Sequence, residues 1–344
     1  MRTIFAGGGT GGHIFPSLAI ANFLEGEKLF LISKNNLDEE ILKKTNFKYK
    51  KISSGKLRRY FSGENFTDFF KFIFGIFQSL KIIKKFNPDA VFCKGGFVSL
   101  PVAIAGKILG KKIILHESDA VMGFSNKIIA KFAKKIFYGE KIGNPINFYG
   151  KKFSESEKKK FIQEKIFPLV KKNFPNIEKN FLENKKILLI SGGSQGSLEI
   201  NNLIEKNFSE IEKNFFVIHL TGKGKKTKIK NKNYLQFEFL SGDEYFYFLQ
   251  IADLLISRAG AGSIAEILFF QKPAILIPLI GSAGEHQLKN SEKIESEKLA
   301  KKCVGGEKFL EILNSDFSEI KKNLKEKNFE NPAEKIANEI KHVF

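Results

Sequence analysis

Thr3-Ile-Phe-Ala-Gly-Gly-Gly-Thr-Gly-Gly-His13 is a short apolar run that breaks into glycines, and the amphipathic stretch Ile14 to Leu24 follows it. Strand, glycine loop and helix in that order form the opening unit of a doubly wound sheet. Consecutive glycines at such a junction permit positive φ and close backbone approach. They also aim free N–H groups at an anion on the helix N-terminus. A plain βα turn or a dinucleotide loop uses the same residues. The G-x-G-x-x-G spacing is only loosely met, by Gly7, Gly9 and Gly12.

The same alternation runs outward from this stretch. Leu29 to Ile32 reads as a strand, Leu37 to Lys44 as a helix, and Ala90 to Cys93 as a strand entering Lys94-Gly-Gly-Phe-Val-Ser-Leu-Pro101. Val102 to Leu109 then reads as a helix and Lys112 to His116 as another strand. Short strands, apolar on both faces and joined by helices, belong to a buried parallel sheet. After residue 185 the pattern restarts. Lys186 to Ser191 leads into Gly192-Gly-Ser-Gln-Gly-Ser197 and a helix, with later strands at Phe216–Leu220, Leu254–Ser257 and Ala274–Pro278. Two such openings predict two doubly wound Rossmann-like domains facing a cleft. The expected division is residues 1–148 plus 330–344 against 149–329. Lys/Glu-rich Lys151 to Asn184 reads as a surface linker or helical insertion. Asn331-Pro332 precedes a last helix, Ala333 to Val343, with Pro at its first position.

Composition narrows the function classes. A chain of 344 residues with 42% apolar content has enough material for two cores. The formal charge of +20 suggests nucleic acid or an anionic membrane, yet nearly all of it is lysine, with arginine only at 2, 58, 59 and 258. Abundant Phe, Ile, Asn and Lys without Trp fit an A/T-rich genome, which accounts for part of the excess. Cys93 and Cys303 stand far apart and suggest neither a disulfide framework nor a zinc site. The start of the chain reads without a signal peptide, and no uncharged apolar run reaches ~18 residues, so a cytosolic protein is expected.

Arg258-Ala-Gly-Ala-Gly-Ser-Ile-Ala-Glu266 is a more specific signal. It follows a buried strand and opens a helix on small residues, so Gly262 and Ser263 can donate to a diphosphate. Glu266, one turn into that helix, can accept both hydroxyls of a ribose. An acidic residue favoured by the helix dipole is the simpler alternative. The loop Gly284-Glu-His-Gln287 suits sugar hydroxyls.

Together these segments resemble the GT-B glycosyltransferases and, more narrowly, the MurG family. The resemblance spans essentially the whole chain. It includes Gly8-Gly-Thr-Gly-Gly-His-Ile-Phe-Pro16, Gly95-Gly-Phe-Val-Ser99, His116-Glu117, Gly143-Asn-Pro145, Gly192-Gly-Ser-Gln-Gly196, Arg258 to Glu266 and His286-Gln287. It implies inverting transfer of N-acetylglucosamine from its UDP donor to undecaprenyl-diphospho-muramoyl pentapeptide, without metal or other cofactor. The implied donor residues are Thr10, Gly11, Gly12, Asp119, Ser194, Phe239, Leu240, Ala261, Gly262, Ser263, Glu266 and Gln287. Phe239 and Leu240 would frame uracil, Glu266 the ribose and Gln287 the sugar. Gly95, Gly96 and Ser99 would meet the acceptor, with the Thr10–His13 loop at its diphosphate. His13 is either the base or the residue that orients the glycine loop. The family usually has Asn at Asp119 and Arg at Asn147, so a lysine or Arg258 would supply the missing charge.

The implied location is peripheral, on the cytoplasmic side of the bacterial inner membrane. From Asp68 to Phe86 a helical pattern places apolar residues over roughly 200°, more than a core-facing helix needs. Phe70, Phe74 and Phe77 fall at the surplus edge. Lys71, Lys81 and Lys85 rim it, with Lys56, Arg58 and Arg59 just upstream. Either an anionic leaflet or a neighbouring helix covers it. Three other readings remain. An epimerase of UDP-sugars would share the donor site. A nicotinamide-dependent reductase would need an acid where Ser33-Lys34 stand, and a nucleic-acid-binding protein would leave the glycine loops unexplained.

Overall fold

Apolar strands with nothing polar on either face must be covered by helices on both sides, and the computed structural model shows how this chain covers them. It describes all residues except 35, 56–63, 149, 179–180, 183–184, 241, 282–284 and 344. The first sheet holds β1 (Arg2–Ala6), β2 (Glu27–Ile32), β3 (Lys48–Lys51), β4 (Ala90–Cys93), β5 (Lys112–Glu117) and β6 (Lys135–Tyr138). The second holds β7 (Lys186–Ser191), β8 (Phe215–Leu220), β9 (Tyr234–Phe237), β10 (Leu254–Ser257), β11 (Ala274–Leu276) and β12 (Lys301–Lys302). Their orders, β3-β2-β1-β4-β5-β6 and β12-β11-β10-β7-β8-β9, are one topology used twice. Every pairing is parallel.

The sequence reading finds the four inner strands of each sheet and passes over β3, β6, β9 and β12. All four lie at sheet edges, where one side of the ladder is open, and each is four residues or fewer. Lys48-Tyr-Lys-Lys51 and Lys301-Lys302 show why: they carry lysines that solvate an edge. Two helices also begin earlier than their apolar pattern suggests. One spans Gly11–Asn22 and starts inside the glycine motif. The other spans Gly96–Ile108 and carries Pro101 within it, where Pro101 had been expected to precede the helix.

The chain divides into two compact units, Met1–Asn147 with Asn331–Phe344, and Phe148–Glu330. The segment after residue 150 is a built part of the second unit. Helices Glu155–Phe161 and Phe167–Asn173, joined through a π-turn at Ile162–Ile166, bury Ile166 and Val170. Phe153 stacks on Tyr247 at 5.6 Å between ring centroids. In the first unit, the helix Ala333–Lys341 brings Ile336, Ala337 and Ile340 into the core with Phe5, Ile14, Leu18 and Phe30. Asn331 fixes its start: the side-chain oxygen accepts from the N–H groups of Ala333 and Ile146, each at 3.1 Å, and the amide donates to the Ile146 carbonyl at 2.6 Å. Pro332 thus stands one residue before the helix. Among the described residues no helix is long and apolar enough to cross a membrane.

This returning helix should be a stability element of the first unit. Ile336 is fully buried. Ile336→Ala should cost about 2–5 kcal/mol, as buried truncations do. Hydrogen exchange should show lost protection in β1 and β4 and unchanged protection in β7 and β10. Equal loss in both sheets would contradict the division.

Candidate active site

An open parallel sheet leaves a crevice beyond the carboxyl ends of the strands where its winding reverses. In the first sheet that point lies between β1 and β4, and the glycine motifs follow those two strands. Gly9 adopts φ +89 and donates its N–H to both carboxylate oxygens of Asp38, at 3.0 and 2.8 Å. Asp38 is fully buried and also accepts from the Ser33 hydroxyl at 2.6 Å. A Cβ on Gly8 would stand 2.4 Å from that carboxylate. Asp38 therefore shapes the turn, and the sequence reading missed it because an acidic residue in a first helical turn looks like ordinary dipole compensation.

Thr10 precedes the helix in extended conformation and its hydroxyl makes no capping bond. The N–H groups of Gly11 and Gly12 have no acceptor within the helix, the arrangement that binds anions, while the His13 N–H donates to the Thr10 carbonyl at 3.1 Å. His13 lies against the second motif. A Cβ on Gly96 would meet the His13 Nε2 at 3.3 Å and the Gly8 carbonyl at 3.0 Å, and Gly96 itself has φ +78. Burial and the charge of Lys94 lower the His13 pKa to about 4, against the opposing effects of Asp119 and a hydrogen bond to the Lys94 backbone. Its Nδ1 is buried and carries no hydrogen bond. The ring is neutral at physiological pH, as a base must be.

Ser99 is not at the surface of this crevice. It is fully buried, lies 2.8 and 2.7 Å from the Ala6 and Gly95 carbonyls, and accepts from the Gly95 N–H at 3.0 Å. The expectation that it contacts an acceptor is corrected to a staple for the Gly95–Gly96 turn. Glu117 has a comparable duty: it accepts from the N–H groups of Asp119 and Gly123 at 3.0 and 3.1 Å and from the Asn126 amide at 2.8 Å. His116, also buried, reaches the Gly143 carbonyl through Nε2 at 3.2 Å. These bonds set Asp119 beside His13. The structure thus brings His13, Gly95, Gly96 and Asp119 together with Lys94, Glu117 and Asn126, to which sequence reasoning assigned no role.

The second unit repeats the plan between β7 and β10. Gly193 and Gly196 adopt φ +83 and +68, and a Cβ on Gly196 would stand 2.2 Å from the Thr221 carbonyl. Ser194 is exposed at the tip of this loop. Ser197 caps the helix Leu198–Asn214 and accepts from Arg258 at 2.7 Å. Arg258 is buried. It bonds the Ile277 and Pro278 carbonyls, each at 3.2 Å, and pairs with Glu199 at 2.6 Å. Its guanidinium is committed to bracing three loops, so it is not the spare cation for the position of Asn147.

After β10, the helix Ala261–Phe269 presents Ala261, Gly262 and Ser263 in its first turn. Glu266 lies one turn on, half-buried, with its carboxyl pushed up to about 7 by burial although Tyr245 hydrogen-bonds to it. Phe239 is exposed while Leu240 is buried beneath. Gln287, in the helix His286–Ser296, accepts from the Leu279 N–H at 3.0 Å, which orients its amide. Gly284 lies outside the described residues. Among these residues no group of three or more His, Cys, Asp or Glu side chains is placed to hold a metal ion.

On the Glu64–Phe86 helix, Ile83 is buried and Phe72, Ile76, Leu80 and Phe86 pack on the core, while Phe66, Phe69, Phe70, Phe74 and Phe77 are exposed. Lys81 and Lys85 are exposed as well, and Lys71 pairs with Asp68 at 3.0 Å. Lys56, Arg58 and Arg59 lie outside the described residues.

Residues 3–138 match the glycosyltransferase family 28 N-terminal domain, and residues 187–343 match its C-terminal domain. The UDP-N-acetylglucosamine--N-acetylmuramyl-(pentapeptide) pyrophosphoryl-undecaprenol N-acetylglucosamine transferase of Staphylococcus aureus (strain bovine RF122 / ET3-1) is 39% identical over 329 residues, 93% of this chain and 90% of its own. Among solved structures, MurG of Acinetobacter baumannii aligns with TM-score 0.69 at 21% identity, covering 99% of each chain. The S. aureus MnaA–UDP co-structure aligns with TM-score 0.64 at 12% identity, covering 99% of this chain and 96% of that one.

The raised Glu266 pKa has a consequence for stability. A carboxyl whose folded pKa lies above the ordinary 4.5 is stabilising in its protonated form below 4.5, and that contribution is lost as pH rises toward about 7. Glu266→Gln should therefore gain on the parent chain across that window in denaturant titrations. A constant difference from pH 4 to 8 would refute the burial argument.

Proposed function

The chain belongs to glycosyltransferase family 28 and, within it, to the MurG family, and from that premise we propose that it transfers N-acetylglucosamine from UDP-N-acetylglucosamine to the lipid-linked muramoyl-pentapeptide precursor of peptidoglycan. The observation that carries the reading is the pairing of 39% identity across nearly the whole chain with glycine loops at both switch points. The second unit is the donor side. Glu266 accepts the ribose hydroxyls, and Ser194, Ala261, Gly262 and Ser263 receive the diphosphate on loop and helix N–H groups. Phe239 lies against uracil over Leu240, and Gln287 meets the sugar. The first unit is the acceptor side, through Gly95, Gly96 and the Thr10–His13 turn.

Chemistry follows from these placements. The acceptor hydroxyl attacks the anomeric carbon as the bond to UDP breaks on the opposite face, which inverts the centre. Neutral His13 takes the hydroxyl proton, and the negative charge growing on UDP is met by helix N-terminal N–H groups that are already oriented. Asn147 brings no charge to this step.

The experiment is product identification from UDP-N-acetylglucosamine and the muramoyl lipid. A disaccharide lipid and UDP, formed together and with inverted configuration, are expected. Free epimerised sugar would replace this reading with that of an epimerase.

The phenylalanine edge of the Glu64–Phe86 helix supplies access to a lipid-anchored acceptor. Exposed rings with exposed lysines beside them suit the interface of an anionic leaflet, on the cytoplasmic side of the inner membrane. Phe70→Ser with Phe74→Ser should reduce co-sedimentation with anionic vesicles while turnover of a detergent-soluble acceptor analogue persists. Unchanged vesicle binding would place the membrane contact elsewhere.

A further inference from the structure

Lys94 is the largest polar side chain among the fully buried ones, only 1% exposed. It continues the ladder one residue beyond β4, its N–H donating to the Ala6 carbonyl at 2.9 Å. Its stem runs beneath the first glycine turn, where a Cβ on Gly7 would come within 3.3 Å of the Lys94 Cβ. Its ammonium ends on the Ser118 hydroxyl. Glu117 and Asp119 face it as opposite charges, and His13 and His116 face it as titratable rings. An ammonium buried this deeply costs far more than a surface lysine, and a methionine of similar shape would fill the space without that cost.

We propose that Lys94 is a positioning residue for the transfer reaction: its buried ammonium ties the Ser118–Asp119 turn to the glycine turn that carries His13. The inference rests on the transferase reading of this crevice. One interior cation is shared by the loops after β1, β4 and β5, so its removal takes an opposite charge away from Glu117 and Asp119 and loosens the tie between the turns. The electrostatics agree with the geometry. Burial lowers the Lys94 pKa to about 8 against the pull of Glu117 and Asp119, so the amine keeps its proton at neutral pH. That charge disfavours the imidazolium form of His13, while Asp119 favours it.

The test uses the full chain and three variants: Lys94→Met, Asp119→Asn and the double variant. Each is first checked for a cooperative unfolding transition and for UDP binding. In Lys94→Met, kcat should fall by about 10²-fold, the scale of a misplaced catalytic group, with UDP affinity held. Histidine NMR titration should show the His13 midpoint rising in Lys94→Met and falling in Asp119→Asn, since the two charges act in opposite senses. Adding Asp119→Asn to Lys94→Met removes one of the two carboxylates that faced the ammonium, so the double variant should regain at least part of the lost kcat and unfold at higher denaturant than Lys94→Met alone. Lys94→Met with parental kcat, or a loss that Asp119→Asn leaves undiminished, overturns the proposal. If Lys94→Met does not fold, the double variant decides: folded and active supports the tie, unfolded overturns it. Failure of the transferase reading would appear separately, as absence of disaccharide product from the parent chain.

Discussion

A side chain is crowded at Gly8 and both crowded and strained at Gly96, and the first unit's turns depend on that. A side chain at Gly8 would enter the Asp38 carboxylate, and one at Gly96 would press on the Gly8 carbonyl and the His13 ring. Because both are glycine, the turns after β1 and β4 close to backbone contact. Helix N–H groups, an imidazole and a lysine then share one small volume at the point where the sheet reverses. Asp38, Ser99 and Glu117 never need to touch a substrate to matter, since they spend their oxygens on holding the turns after β1, β4 and β5.

The second unit reaches the same end with different parts. Gly196 approaches the Thr221 carbonyl and Gly222, while buried Arg258 joins the loops after β7, β10 and β11 through its fork of donors. A guanidinium suits this because five fixed N–H groups can satisfy several carbonyls at once. The two units therefore solve one problem twice. A loop able to bind phosphate must expose its N–H groups and still keep its shape, and a rigid neighbour supplies the shape.

Burial shifts an ionisable group in each candidate site. His13 is kept neutral, and Glu266 is held near neutrality-sensitive territory with a tyrosine hydroxyl beside it. A half-buried carboxylate gains most from donors that arrive with a ligand, because water cannot solvate it fully beforehand. Elsewhere, burial of ionisable groups is structural. Lys272, for instance, donates to the Gln250 and Ala252 carbonyls and closes a helix end.

By itself the sequence determined the fold class, because eight inner strands carry uninterrupted apolar runs and two glycine clusters open the two halves. It also singled out Gly7 to His13, Gly95-Gly96, Gly192 to Ser197 and Arg258 to Glu266 as the small, polar segments that follow inner strands. The tertiary structure decided the rest. Edge strands β3, β6, β9 and β12 have no period of their own and exist only because a neighbour offers a ladder. Ser99 looked like a ligand contact and proved to be a staple, and Lys94 looked like one lysine among many and proved to be buried. Sequence spacing records which residues share a loop. It does not record which side of the loop faces solvent, and for a polar side chain that difference separates binding a substrate from holding the fold.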